Sequence, residues 1–210
     1  MESKSMSHSN RSFWLGKLFS FLGLFPLGGY VVLHLYKNMT SLGGEEAFNQ
    51  YIDQSRSMPM MVVFMVLLLW IPIAFHGIYG LFAMKKSRAN FSRAPFFGNF
   101  KYLLQRLSGI GLLLFIPAHI YKTRIEPGFF DSHMDFYHMM EGLHEPLTLT
   151  VYILGVLGVA YHLGNGVWQF SIGWGIARTE AGMKRIEKLS YLIFALVLLM
   201  GYSAIWGFFR

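Results

Sequence analysis

The chain has 210 residues, 54% hydrophobic, 17% aromatic and 14% charged, with a net charge of +7 and no cysteine. The length suits one domain, the charged share is well below the roughly 25% of soluble domains, and the absent thiols exclude disulfides, thiolate-bound zinc and cysteine-held iron–sulfur clusters on this chain. The positive balance admits nucleic acid or an anionic surface as partner, and its placement along the chain excludes nucleic acid.

In chain order, residues 1–11 are polar, lack a signal-peptide core, and are expected to form a disordered tail. Five apolar segments then reach the roughly 20 residues that a helix needs to cross a bilayer. They run over 12–36, 59–84, 102–121, 147–174 and 189–209. Pro59 and Pro146 stand in or just before a first helical turn, where proline is favoured. Pro26, Pro72 and Pro117 fall inside spans, where membrane helices tolerate them. The predicted fold is an all-α integral membrane domain over 1–210, with five transmembrane helices, the first four forming a bundle.

Charge alternates between the connections. Lys4, Arg11 and Lys17 precede or open the first span; Lys85, Lys86, Arg88, Arg93, Lys101 and Arg106 surround the second connection; Arg178, Lys184, Arg185 and Lys188 fill the fourth. Thirteen of the eighteen basic residues thus share one side, while eight of the eleven acidic residues lie on the other. The positive-inside rule predicts a cytoplasmic N-terminus and an outside C-terminus, with contact to anionic lipid explaining most of the basic charge.

Of eight histidines, His8 is in the tail and His133, His138 and His144 precede the fourth span. His34, His76, His119 and His162 lie within the first four spans, one in each. Ionisable groups inside membrane spans are costly and point to function. His119 lies 17 residues beyond Tyr102 and His76 17 beyond Pro59, about 26 Å along helices of opposite direction. His34 and His119 therefore share an outer level, and His76 and His162 an inner one. A zinc or copper site gathers three or four ligands at one depth. Two histidines at each of two depths suit the axial ligands of two haems, six-coordinate and so electron carriers. Gly155, Gly158 and Gly166 share the face of His162, and Gly80 that of His76, leaving room for a flat ring or for a close helix. His34-Leu35-Tyr36-Lys37-Asn38 is echoed by His119-Ile120-Tyr121-Lys122-Thr123, so the first two spans resemble the next two.

Several blocks carry a family resemblance: Phe75-His76-Gly77-Ile78-Tyr79-Gly80, Leu104-Gln105-Arg106-Leu107-Ser108-Gly109, His119-Ile120-Tyr121-Lys122-Thr123-Arg124-Ile125, Tyr161-His162-Leu163-Gly164-Asn165-Gly166-Val167-Trp168 with Trp174-Gly175, and Gly44-Glu45-Glu46-Ala47-Phe48-Asn49. Through them nearly the whole chain resembles the cytochrome b membrane-anchor subunits of bacterial succinate:menaquinone oxidoreductases (succinate dehydrogenase, complex II), of the single-chain, two-haem type. The resemblance implies two haem b groups, His34 and His119 holding the outer and His76 and His162 the inner. It implies a flavoprotein (FAD) and an iron–sulfur subunit docked on the basic cytoplasmic face, menaquinone as electron acceptor, and residence in the bacterial cytoplasmic membrane. Arg106 and Ser108 match the family's Arg-x-Ser/Thr-Gly and are candidates for haem-propionate or quinone contacts, as are Lys17 and Ser20. For Arg106 an interfacial snorkelling role competes. Trp168 and Trp174 are candidate interfacial anchors.

The related two-haem fumarate reductases carry a carboxylate two residues before the fourth-span histidine, where this chain has Ala160, which favours the succinate-oxidising direction. Outer-side protons for the quinone would come past Glu45, Glu46, His133, His138 or His144, which otherwise read as solvated loop residues. The alternatives are the anchor of a quinol:fumarate reductase, that of a hydrogenase or formate dehydrogenase, and a haem-free transporter with a histidine relay. The last would require carboxylates inside the spans, and the expected spans contain none.

Overall fold

The computed structural model describes residues 2–86, 97–129 and 134–210. Arg88, Arg93, Asp131 and His133, used above, lie outside them. Every regular element among the described residues is helical, and five helices are long and apolar enough to cross a membrane: Asn10–Gly43, Met61–Lys85, Asn99–Ile125, Pro146–Gly173 and Glu180–Phe209. They are spans one to five below. The chain is a multi-pass membrane protein. Five crossings put its termini on opposite faces, here the N-face and the C-face.

The prolines shape the spans. A proline inside a helix lacks its N–H and crowds the carbonyl four residues back, and widening to a π-turn relieves both. Span one is widened over Gly23–Leu27, which contains Pro26. Span two is widened over Val66–Trp70, around the carbonyl that Pro72 displaces. Span three ends in a wide turn, Tyr121–Ile125, four residues back from Pro127, whereas Pro117 sits inside regular helix. Pro146 opens span four at its first turn. Pro59 instead lies in the turn before Met61, where Met60 adopts a left-handed conformation.

Every span differs from the sequence reading at one end or both, span one running on to Gly43 and span three to Ile125, and two of the differences change what a segment is. A helix runs Glu2–Leu22, so the stretch expected to be a disordered tail is helical; it holds no proline or glycine before Gly16, and nothing in it stops span one from propagating backwards. Span five begins at Glu180, capped by the Thr179 hydroxyl accepting from the Gly182 N–H, nine residues before the expected start at Leu189. That brings Glu180, paired with Lys184 on the exposed first turn, and, deeper, Glu187 into an apolar helix, contrary to the expectation of none. Glu187 Oε1 pairs with Lys101 Nζ of span three and accepts from Tyr191 Oη at 3.1 Å. Lys101 also lies over the rings of Trp168 and Tyr191, at 5.0 and 5.1 Å. This N-face clasp joins spans three, four and five and occupies the carboxylate.

Spans three and five flank span four, span one packs on span two, and span five also touches span one. Span five bears none of the in-span histidines and stands outside the helices that do. Its seam with span four is tight: a Cβ at Gly164 would lie 2.8 Å from the Ser190 carbonyl oxygen, and one at Gly201 2.5 Å from Val156. Ala160, between Val156 and Gly164 on this face, is fully buried.

The densest core lies at the C-face. Helices Glu45–Ser57 and Phe136–His144 close over the bundle with the final turn Gly207–Phe209. Phe48, Phe136, Met139, Leu143, Tyr152 and Phe208 are buried together. Asn49 Oδ1 accepts from the Phe136 N–H at 2.9 Å, and Ser41 Oγ donates to the Ala204 carbonyl at 2.8 Å. A hydrogen bond to the Glu45 carboxylate holds the exposed Tyr137 phenol above its usual pKa.

The span four–five seam predicts that Gly164→Val costs about 1–3 kcal/mol by overpacking, read as an earlier midpoint in an SDS unfolding titration. Gly29→Ala, where a Cβ meets nothing within 4 Å, does not lower that midpoint. Equal midpoints for Gly164→Val and the unsubstituted chain would show that the close approach constrains nothing.

Candidate cofactor sites between facing histidines

The bundle brings the four in-span histidines into two facing pairs. Towards the C-face, the rings of His34 on span one and His119 on span three have centres 5.7 Å apart, with planes at 82°. Towards the N-face, His76 on span two and His162 on span four stand 6.1 Å apart, with planes at 85°. Each pair joins two spans that are not consecutive in the chain. Span three passes His162 at Gly109 and carries His119 ten residues later; span four passes His119 at Tyr152 and carries His162 ten residues later. Both give a separation between levels of about 15 Å.

Each ring is oriented by a neighbour. His76 Nδ1 lies 3.1 Å from the Phe19 carbonyl oxygen, which only accepts, so this nitrogen carries the hydrogen and Nε2 is left as a lone-pair donor. Phe19 also stacks flat on His76, 4.2 Å between centres at 7°. His162 Nδ1 is 3.1 Å from Ser108 Oγ, whose own hydrogen goes to the Gln105 carbonyl at 3.0 Å. Gln105 holds span four again, donating to the His162 carbonyl at 3.2 Å and accepting from Asn165 Nδ2 at 2.8 Å. His119 Nδ1 is 3.2 Å from Tyr152 Oη, and Phe115 stacks on the same imidazole with centres 5.6 Å apart. His34 stacks on Tyr30, and the Asn38 amide nitrogen, donating to the His34 carbonyl at 2.7 Å, stands 3.3 Å from Nδ1.

Glycines make these approaches feasible. A Cβ at Gly23 would collide with the His76 ring, 2.8 Å from Nδ1, and one at Gly109 would stand 3.2 Å from His162 Cε1. Of the glycines singled out by the sequence, Gly155 makes room for Phe115 and Gly80 for Phe19. Gly158 and Gly166, one turn either side of His162, face open space: a Cβ at either meets nothing within 4 Å.

The polar residues proposed from sequence are differently placed. Ser108 reaches His162 directly, so its hydroxyl serves the imidazole. Arg106 donates to the Met84 carbonyl, lies 4.8 Å from the Tyr102 ring centre, and lines an apolar groove between spans two and three with Ile78, Leu81, Leu103 and Leu107. Lys17 donates to the Gly173 carbonyl at the end of span four and lies over the Trp174 ring at 4.9 Å. Ser20 Oγ donates to the Lys17 carbonyl at 2.9 Å and accepts from Trp174 Nε1 at 3.0 Å. Lys17, Ser20 and Trp174 thus clasp span one to span four, and the helix-end carbonyl gains a donor. His138 Nε2 meets the Lys122 carbonyl at 3.0 Å and His144 Nδ1 the Met140 carbonyl at 2.7 Å, both in the cap.

Sequence reasoning passed over Phe19, Gly23, Phe115 and Tyr152. The available signal for Tyr152 was a hydroxyl inside an apolar span ten residues before His162, which helical rise places level with His119.

Among the described residues no three His, Asp or Glu side chains gather to hold a metal ion, and the donor set is two pairs of imidazoles. Metal–imidazole bonds are about 2 Å and a ring nitrogen lies about 1 Å from its ring centre, so two imidazoles on opposite sides of one iron stand about 6 Å apart. Both pairs have that spacing. With Nδ1 of His76, His119 and His162 each beside an oxygen and a glycine-cleared strip beside His162, the pairs fit a haem iron held by two imidazoles.

No family model matches the chain. The succinate dehydrogenase cytochrome b558 subunit of Bacillus subtilis (strain 168) is 31% identical over 199 residues, covering 95% of this chain and 98% of that protein. With near-complete coverage of both sequences, and five apolar helices of which four carry the two histidine pairs, the chain belongs to the family of succinate dehydrogenase cytochrome b membrane subunits.

Proposed function

We propose that this chain anchors succinate dehydrogenase in the bacterial cytoplasmic membrane and carries electrons from an iron–sulfur partner, through two b haems, to menaquinone. The two facing histidine pairs, at 5.7 and 6.1 Å, carry this reading. His76 and His162 hold the haem near the N-face, His34 and His119 the one near the C-face. A haem held by each pair would supply a one-electron couple.

Charge sets the orientation. The N-face holds most of the basic residues and the C-face most of the acidic ones, so the N-face is cytoplasmic. The iron–sulfur and FAD subunits dock there, which accords with a chain that has no cysteine to hold a cluster. The protein's own part is to hold His76 and His162 in fixed tautomers, to keep water from the apolar bundle, and to set the two levels apart along the membrane normal. An electron moving outward across the whole field gains about 2.3 kcal/mol per 100 mV, a contribution towards reducing a low-potential quinone with succinate.

Two outcomes follow. The purified chain binds two haems b by pyridine haemochrome; His76→Ala and His162→Ala each abolish one spectral component, and His34→Ala and His119→Ala the other, roughly halving haem content. One haem in the unsubstituted chain, or loss of the same component from all four variants, overturns the pairing. In energised vesicles holding the intact complex, an uncoupler slows menaquinone reduction by succinate, and a rate indifferent to the uncoupler removes the transmembrane direction.

A further inference from the structure

We propose that Ser108 and Tyr152 are positioning residues, each holding the histidine of the neighbouring span through Nδ1 and so setting the redox potential of one haem independently of the other. This rests on the ligand assignment above. The two contacts are reciprocal across the seam between spans three and four. Span three offers the Ser108 hydroxyl to His162 on span four at 3.1 Å; span four offers the Tyr152 hydroxyl to His119 on span three at 3.2 Å. Because these helices run antiparallel, one seam serves both levels, and each level receives one hydroxyl-held histidine.

The chemistry has a definite sign. The single Ser108 hydroxyl hydrogen is committed to the Gln105 carbonyl at 3.0 Å, so its oxygen accepts from His162 Nδ1–H and leaves Nε2 to donate to iron. Tyr152 is buried, 7% exposed, and its ring meets Phe115 edge-on at 5.6 Å while Phe115 stacks on His119. With His119 Nε2 given to the iron, Nδ1 carries the ring hydrogen, and the phenol oxygen at 3.2 Å is its acceptor. An imidazole that donates through Nδ1 is a more basic ligand and stabilises ferric over ferrous iron. Removing the acceptor makes the ligand less basic and raises the potential. Among the described residues the other two histidines have no such side chain: His76 uses the Phe19 backbone carbonyl, and the Asn38 nitrogen near His34 is a donor. Side-chain tuning therefore acts through span three at one level and span four at the other.

The test is an optical redox titration of the purified holoprotein, with components assigned by the histidine variants. Ser108→Ala is expected to shift upward only the component that His162→Ala removes, and Ser108→Thr, which restores a hydroxyl, to return it. Tyr152→Phe is expected to shift upward only the component that His119→Ala removes. The low-spin ferric electron paramagnetic resonance signal of the affected haem moves with each. Two haems whose potentials ignore both substitutions, or move together in either variant, overturn this inference alone. An unsubstituted chain lacking two haems overturns the ligand assignment and this inference with it.

Discussion

The structure turns on four imidazoles inside an apolar bundle. A polar ring in hydrocarbon is costly unless its nitrogens are engaged, and here each histidine faces a second histidine, while three of the four also bond to a neighbouring span and His34 stands beside Asn38 of its own. His76 borrows a backbone carbonyl of span one, His162 a hydroxyl of span three, and His119 a hydroxyl of span four. These bonds specify which helix lies beside which, because dispersion and apolar packing alone discriminate poorly between one hydrophobic helix and another.

The small residues then read as consequences of that requirement. Gly23 and Gly109 lie where an imidazole of another span approaches, and Gly155 where Phe115 must reach in to stack on His119. The wide turn at Gly23–Leu27 places Pro26 beside the same approach. Gly164 and Gly201 serve span five instead, whose contact with span four carries no histidine. Span five is held at the N-face by Lys101 and Glu187 and at the C-face by Phe208 in the capping core. It buttresses the helix bearing His162 from the far side.

Polar side chains near the N-face divide into two uses. Lys17, Ser20 and Trp174 close span one onto the end of span four, and Arg106 engages the end of span two. These interactions satisfy carbonyls that helix termini leave open. Ser108, two residues beyond Arg106, turns the other way and belongs to His162. Adjacent members of one sequence block thus serve a helix end and an imidazole, because neighbouring positions on a helix point about 100° apart.

The number of spans, their alternation of charge and the pairing of histidines by depth were all legible in the sequence, because each depends on one helix at a time: hydropathy over about 20 residues, charge between spans, and rise per residue. The start of span five was not, since Glu187 becomes acceptable in an apolar helix only once Lys101 of another span neutralises it. Nor were the roles of Tyr152, Phe19 and Gly23, or the use of Ser108 on His162. Those rest on rotation of each helix about its axis and on which spans touch. Helix rise fixes how deep a residue lies, whereas facing a neighbour depends on tertiary packing between chain segments 33 to 57 residues apart.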